Sequence, residues 1–317
     1  MSRWLEELQR ELRSSVELID SKLDNAEQSN TVIEKGTAIF VENTESILDT
    51  CKLVLEKAEN IRPKLRVLHH MACSGGSLIT KCFSALPNNF ILSEVHPHSY
   101  RHLPADKASF LPSDIATLAY QAKFSDAEAL AQKIFKSSIH ETYQHVDEQG
   151  GTLILREHSH SDYCIGNSFT EKSVVRELLN QDFEILSLVT VRNPIDCYAS
   201  LQSNYWLHFN PQTFEEYCIR IINFLSQFRK KQIIKYESFT KSPDKVMRKM
   251  CNVLQVEFND SYKDLFDQFK VTGDSGRTGE KIAIRPRREI SPEFACEIKK
   301  SKTFTLLCKK YGFNPAI

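Results

Sequence analysis

A chain of 317 residues is long enough for one large α/β domain with an extension, or for two modest domains, with a sizeable buried core in either case. Its 41 basic and 41 acidic side chains cancel, which speaks against a nucleic-acid footprint over the whole surface and leaves room only for a local positive pocket. The expected partners are small or locally acidic molecules, not nucleic acid.

Nine cysteines (Cys51, Cys73, Cys82, Cys164, Cys197, Cys218, Cys251, Cys296 and Cys308) are odd in number and contain no C-x-x-C pair. That distribution favours free thiols in a reducing compartment over a disulfide framework or a zinc site. The amino terminus, MSRWLEELQRELRSS, is charged and helical, without the apolar run of a signal peptide. No window approaches the roughly 20 apolar residues of a membrane span. A soluble, cytoplasmic protein is expected.

In chain order, residues 1–62 read as a helical extension, because Leu5, Leu8, Leu12, Val16, Ile19 and Leu23 recur at spacings of three and four and Ile47, Leu48, Leu55 and Ala58 continue the stripe. Such a hairpin could pack on its own chain or pair with a second copy, which leaves a homo-oligomer open. Residues 63–317 read as an α/β domain. The runs LRVLHHMA, NFILSEV, TLILREH, EILSLVTVR and KQIIKY are β-like. Helical stretches separate them: two within Ser113–Gln149, then Glu171–Leu179, Pro194–Tyr205, Phe214–Phe228, Pro243–Leu254 and Pro292–Tyr311. That alternation predicts a mostly parallel sheet flanked by helices, whose ligands sit at the carboxyl ends of the strands.

Two strand ends look built for anions. After the first strand, Ser74-Gly75-Gly76-Ser77 turns into a helix: the glycines let the backbone approach a ligand, the serines add hydroxyl donors, and the helix presents unpaired N–H groups. Gly76 stands where a Walker A element needs Lys, so a conventional ATPase or GTPase is disfavoured. After the fourth strand, Arg192 precedes Asn193-Pro194, a helix start, and Ser200 lies two turns further on. A guanidinium and a hydroxyl can there converge on one dianionic group.

Together these segments resemble the sulfotransferases that use 3′-phosphoadenosine 5′-phosphosulfate (PAPS), over about residues 65 to 290 and in that family's order. The resemblance implies a P-loop-like fold and a 5′-phosphosulfate loop at Ser74, Gly75, Gly76 and Ser77. It implies a 3′-phosphate site at Arg192 and Ser200, Tyr236 facing the adenine, Glu237 as a structural residue, and a closing loop at Ser275, Gly276 and Arg277, which Arg285, Arg287 and Arg288 could join. Cys73 departs from the family's Lys or Arg, and Lys81 is a candidate for the missing charge. Arg156 and His158 would touch the transferring group and act as general base, with Glu94 as the rival base.

No metal is expected: the doublets His69-His70, His96-x-His98 and His158-x-His160 read as polar rim residues. The acceptor, a small molecule or carbohydrate, would lie against residues 98–149 and 159–170, with Tyr100, Phe110, Tyr120, Phe124, Tyr143 and Tyr163. The function implied is transfer of a sulfuryl group to a hydroxyl or amine. The alternatives are a non-catalytic regulatory or assembly protein that binds PAPS or its desulfated product PAP, and a metal-dependent nucleotide kinase, which the absent Walker Lys disfavours.

Overall fold

The structure is a computed structural model that describes residues 10, 13, 14, 62–99, 114–272, 282–284 and 286–316. The chain divides into two units, Met1–Pro63 and Lys64–Ile317. The predicted helical extension falls almost wholly outside the described residues, and so do Tyr100, Phe110, Ser275, Gly276, Arg277 and Arg285.

All five predicted runs become strands: β1 (Lys64–His70), β2 (Asn89–Val95), β3 (Thr152–Glu157), β5 (Glu184–Val191) and β7 (Ile233–Lys235). They form one sheet in the order β2-β3-β1-β5-β7, and every pair is parallel. A separate two-stranded parallel ribbon joins β4 (Ile165–Gly166) to β6 (His208–Phe209).

Helices cover both faces, which explains why apolar side chains such as Leu65, Val67 and Leu68 of β1 point to either side of the sheet. On one face Leu65, Val67, Leu153 and Leu155 pack with Ile139 and Val146 of α3 (Ala127–Glu148) and Val175 and Leu179 of α5 (Val174–Leu179). On the same face, Val189 and Val191 meet α6 (Pro194–Ser203), α7 (Phe214–Ser226) and the pair α11 (Pro292–Lys300) and α12 (Lys302–Tyr311). On the other face Leu68, Ile154, Leu188 and Ile234 pack on α1 (Gly76–Ser84), α8 (Tyr236–Lys241) and α9 (Pro243–Leu254). The helices α2 (Ile115–Gln121), α4 (Ser159–Tyr163) and α10 (Tyr262–Leu265) complete the set described.

Three expectations need correction. The predicted helix Pro292–Tyr311 is two helices, because Ser301 leaves the helical conformation to cap α12, accepting from the Phe304 N–H at 3.0 Å. Tyr236 does not end a strand but begins α8. Tyr163, fully buried, and Tyr143, edge-on against Phe183 at 5.2 Å, belong to the cores rather than to an acceptor wall. No helix among the described residues is long and apolar enough to cross a membrane.

Candidate functional site

Alternation along a strand sends neighbouring side chains to opposite faces, and here it separates two histidines that the sequence presents as one doublet. His69 shares the face of Val67 and meets Glu157; His70 shares the face of Leu68 and meets Arg156. Both histidines are buried, so neither is the rim residue expected.

The loop after β1 is shaped by close approach. Gly75 has φ +89°, and a Cβ there would lie 2.2 Å from Cδ2 of Tyr236; at Gly76 it would lie 2.1 Å from Cδ2 of His70. Both positions therefore demand glycine, and the rings that exclude a side chain are themselves at the site. Ser74 Oγ donates to the Met71 carbonyl at 2.7 Å. Cys73 adopts φ +64°, with Asn204 Nδ2 3.9 Å from its sulfur. Burial pushes its thiol up to about 11 despite the nearby charges of Arg192 and Arg288, so position 73 is uncharged.

The turn after β5 comes to the same place because β5 pairs directly with β1. Asn193 caps α6 by accepting from the Ile195 N–H at 3.0 Å, and Pro194 occupies the first helical turn. The Asn193 N–H donates to Glu237 at 2.7 Å, tying this turn to α8. Arg192 lies over the Tyr236 ring at 5.3 Å. Cys197 Sγ approaches both the Cys73 and the Arg192 carbonyls, at 3.6 and 3.8 Å. The two predicted anion turns thus meet, with Tyr236 between them and Ser200 buried in α6. Arg287 and Arg288 bond Asp196 and Ser203, both on α6, at 2.9 and 3.0 Å.

Beside them, at the ends of β2 and β3, lies a network of titratable groups. Arg156, only 3% exposed, donates from Nε to His70 Nε2 at 2.7 Å and from Nη1 to Ser93 Oγ at 3.1 Å and the Thr272 carbonyl at 2.6 Å. Its Nη2 reaches Glu94 Oε1 at 2.5 Å and Ser77 Oγ at 3.4 Å. His70, accepting from a guanidinium, is neutral: burial and then the Arg156 charge hold its pKa well below the usual value. Glu94 sits at φ +61° in a bulge of β2. Burial raises its pKa, and Arg156 offsets part of that rise. His158 Nε2 faces Glu94 Oε2 at 3.5 Å, while its Nδ1 lies 2.9 Å from the hydroxyls of both Ser99 and Ser161.

The two candidate bases are therefore neighbours, and Arg156 places a cation beside Ser77, the second hydroxyl of the loop. Lys81 lies in the last turn of α1. Sequence reasoning missed His70, whose partner is 86 residues away. No group of three or more His, Cys, Asp or Glu side chains is assembled for a metal among the described residues.

No family model and no curated protein matches the chain. Solved structures do. The sulfotransferase domain from the curacin biosynthetic pathway is 15% identical, over 80% of this chain and 99% of that one, with a TM-score of 0.47. A sulfotransferase from Alicyclobacillus acidocaldarius is 18% identical, over 65% and 90%, with a TM-score of 0.33. A mouse sulfotransferase complexed with PAP is 12% identical, over 78% and 89%, with a TM-score of 0.37. All three are sulfotransferases. At such identities the likeness carries no correspondence between residues.

Proposed function

We propose that the protein is a sulfotransferase that moves the sulfuryl group of PAPS to a hydroxyl or amine by in-line displacement. One observation carries the reading: the Ser74–Ser77 loop, the Arg192 turn and Tyr236 converge at one sheet edge, directly beside a base-competent His158–Glu94 pair.

Ser74, Gly75, Gly76 and Ser77 suit the 5′ end of the donor, through backbone N–H groups, hydroxyls and the start of α1. Arg192 and Ser200 suit the 3′-phosphate, and Tyr236 the adenine. Ser275, Gly276 and Arg277 remain the proposed closing loop. PAPS supplies the sulfuryl group and a phosphate leaving group. The chain's contribution is to neutralise charge on that phosphate, to hold the acceptor in line and to remove its proton. Arg156, beside Ser77, serves the first of these. The acceptor's proton passes to His158 with Glu94 behind it, and across 3.5 Å a proton taken by either is stabilised by the other.

The second reading, binding without transfer, draws support from the uncharged Cys73 and from the Glu94–Arg156 pair, which leaves the loop's nearest cation already compensated. Titration of PAP into the full chain, followed by incubation with radiolabelled PAPS and pooled small-molecule and carbohydrate acceptors, separates the two. Binding with label transfer supports the enzyme, binding alone supports the second reading, and no binding removes both.

A further inference from the structure

Arg156 is held unevenly. Its Nε and Nη1 are anchored on His70, Ser93 and the Thr272 carbonyl, three partners that carry no negative charge. Its Nη2 alone lies between two places, 2.5 Å from the carboxylate of Glu94 and 3.4 Å from the hydroxyl of Ser77, the first side chain of the anion-shaped loop's helix. A small displacement of that one nitrogen, with Nε and Nη1 still anchored, changes which neighbour it serves.

We propose that Arg156 is a relay between the two halves of the site: it rests on Glu94, is drawn towards an anion entering the Ser74–Ser77 loop, and so raises the proton affinity of the Glu94–His158 pair, which takes the acceptor's proton in transfer and a solvent proton when no acceptor is present. The proposal rests on the donor-site reading above and adds to it the order of events.

The groups facing Glu94 make the coupling direct. Arg156 comes from β3 and His158 from just beyond it; Ser77 comes from α1, His70 from β1 through Arg156, and the Thr272 carbonyl from the segment closing over the end of β2. Among these described groups only Arg156 carries a fixed positive charge, so weakening its contact leaves His158 as the partner the described residues offer the carboxylate. In a buried setting an uncompensated carboxylate either finds a counter-charge or binds a proton. The base is therefore strongest once the donor is seated, when the acceptor's proton has to be removed. Glu94 is held for this purpose at a left-handed φ of +61°, in a bulge that takes its side chain out of the strand's alternation. Burial already raises its pKa, with Arg156 as the opposing influence.

A proton bound together with the ligand makes affinity rise as pH falls, by up to about tenfold per pH unit in the window between the pair's free and bound proton affinities. The test is calorimetric titration of PAP into the full chain and into Glu94→Gln between pH 6 and 8, in two buffers of different ionisation heat. PAP's own phosphates titrate in both proteins, so the difference between them isolates Glu94. The expected result is extra proton uptake by the unaltered protein and, at pH 8, tighter binding by Glu94→Gln, because Arg156 no longer has a competing carboxylate. Equal proton uptake, or weaker binding by the variant, overturns the relay while leaving the donor site standing. No heat with either protein overturns both. Should Glu94→Gln fail to fold, the unaltered protein decides: a pH slope no steeper than PAP's phosphate titration alone overturns the relay.

Discussion

Two polar networks lie back to back on the same pair of strands. On one face His69 Nδ1 meets Glu157 Oε2 at 2.5 Å, with Ser187, Ser159 and Ser173 as further partners, all buried. On the other, His70 meets Arg156, whose Nη2 reaches Glu94 and Ser77 of the loop. The first network is closed: both Glu157 oxygens and both His69 nitrogens have protein partners, and α5 and the Phe228 ring cover them. The second is open at Glu94, whose side chain is 20% exposed, and at His158, at 29%. The same residue types thus make a structural clamp where every atom is satisfied internally and a site where one atom can change partner.

The comparison is tested most severely on the open side. His158→Ala should lower turnover by about 10²- to 10⁴-fold, the usual worth of a positioned general base, and leave PAP affinity nearly unchanged. Full turnover would move the base elsewhere. Arg192→Ala, which removes the cation lying over Tyr236, should weaken PAP binding by about 2–5 kcal/mol, or roughly thirty- to several-thousand-fold. An unchanged dissociation constant in calorimetry would take the 3′-phosphate away from this turn.

The closed side should answer in stability instead. Burial alone would push Glu157 up, but the charge and hydrogen bond of His69, with the hydroxyls of Ser173 and Ser159, hold its pKa down to about 2. A carboxyl depressed on folding stabilises the protein above its unfolded value, and that stabilisation disappears as pH falls through the folded value. The window is therefore from about pH 5 down to about pH 2, and the magnitude is about 3 kcal/mol. Denaturant midpoints measured across that range should fall in the unaltered protein and fall less steeply in Glu157→Gln. The folded fraction of the variant should bind PAP as before. A loss of PAP affinity to match the loss of stability would mean that the two faces are not separate.

Much of this was legible because it is local. The five strands are β-like runs built around short apolar stretches, the helix starts carry their own caps (Thr213, Ser291-Pro292 and Asn193-Pro194), and the two turns that meet are written in contiguous residues. What escaped is non-local or too short to have a period. Nothing in the His69-His70 doublet names partners 88 and 86 residues on. The five-residue α4 spans little more than one turn, and the break at Ser301 depends partly on Glu215 of α7 accepting its hydroxyl at 2.5 Å. Arg156 was legible as a site residue, but its pairing with Glu94 was not, because β2 and β3 are adjacent in the sheet and far apart in the chain.

The smallest effect is expected at the residue whose identity looked most costly. By the resemblance read in the sequence, Cys73 takes the place of a cation in the sulfotransferase loop, so Cys73→Lys would seem to repair it. The surroundings argue otherwise. Arg192 and Arg288 are already close enough to offset part of the burial that holds the thiol neutral, and both would repel an ammonium placed among them. The backbone there is left-handed, at φ +64°, which a lysine adopts no more readily than a cysteine. The cation next to Ser77 comes from β3. Cys73→Lys should therefore change PAP affinity by less than about 1 kcal/mol, with the attraction to phosphate and the repulsion from the two guanidinium groups nearly cancelling. A tenfold or greater tightening would show that Arg156, held by Glu94, leaves the loop short of charge; a similar loss would show that the two arginines already fill the space.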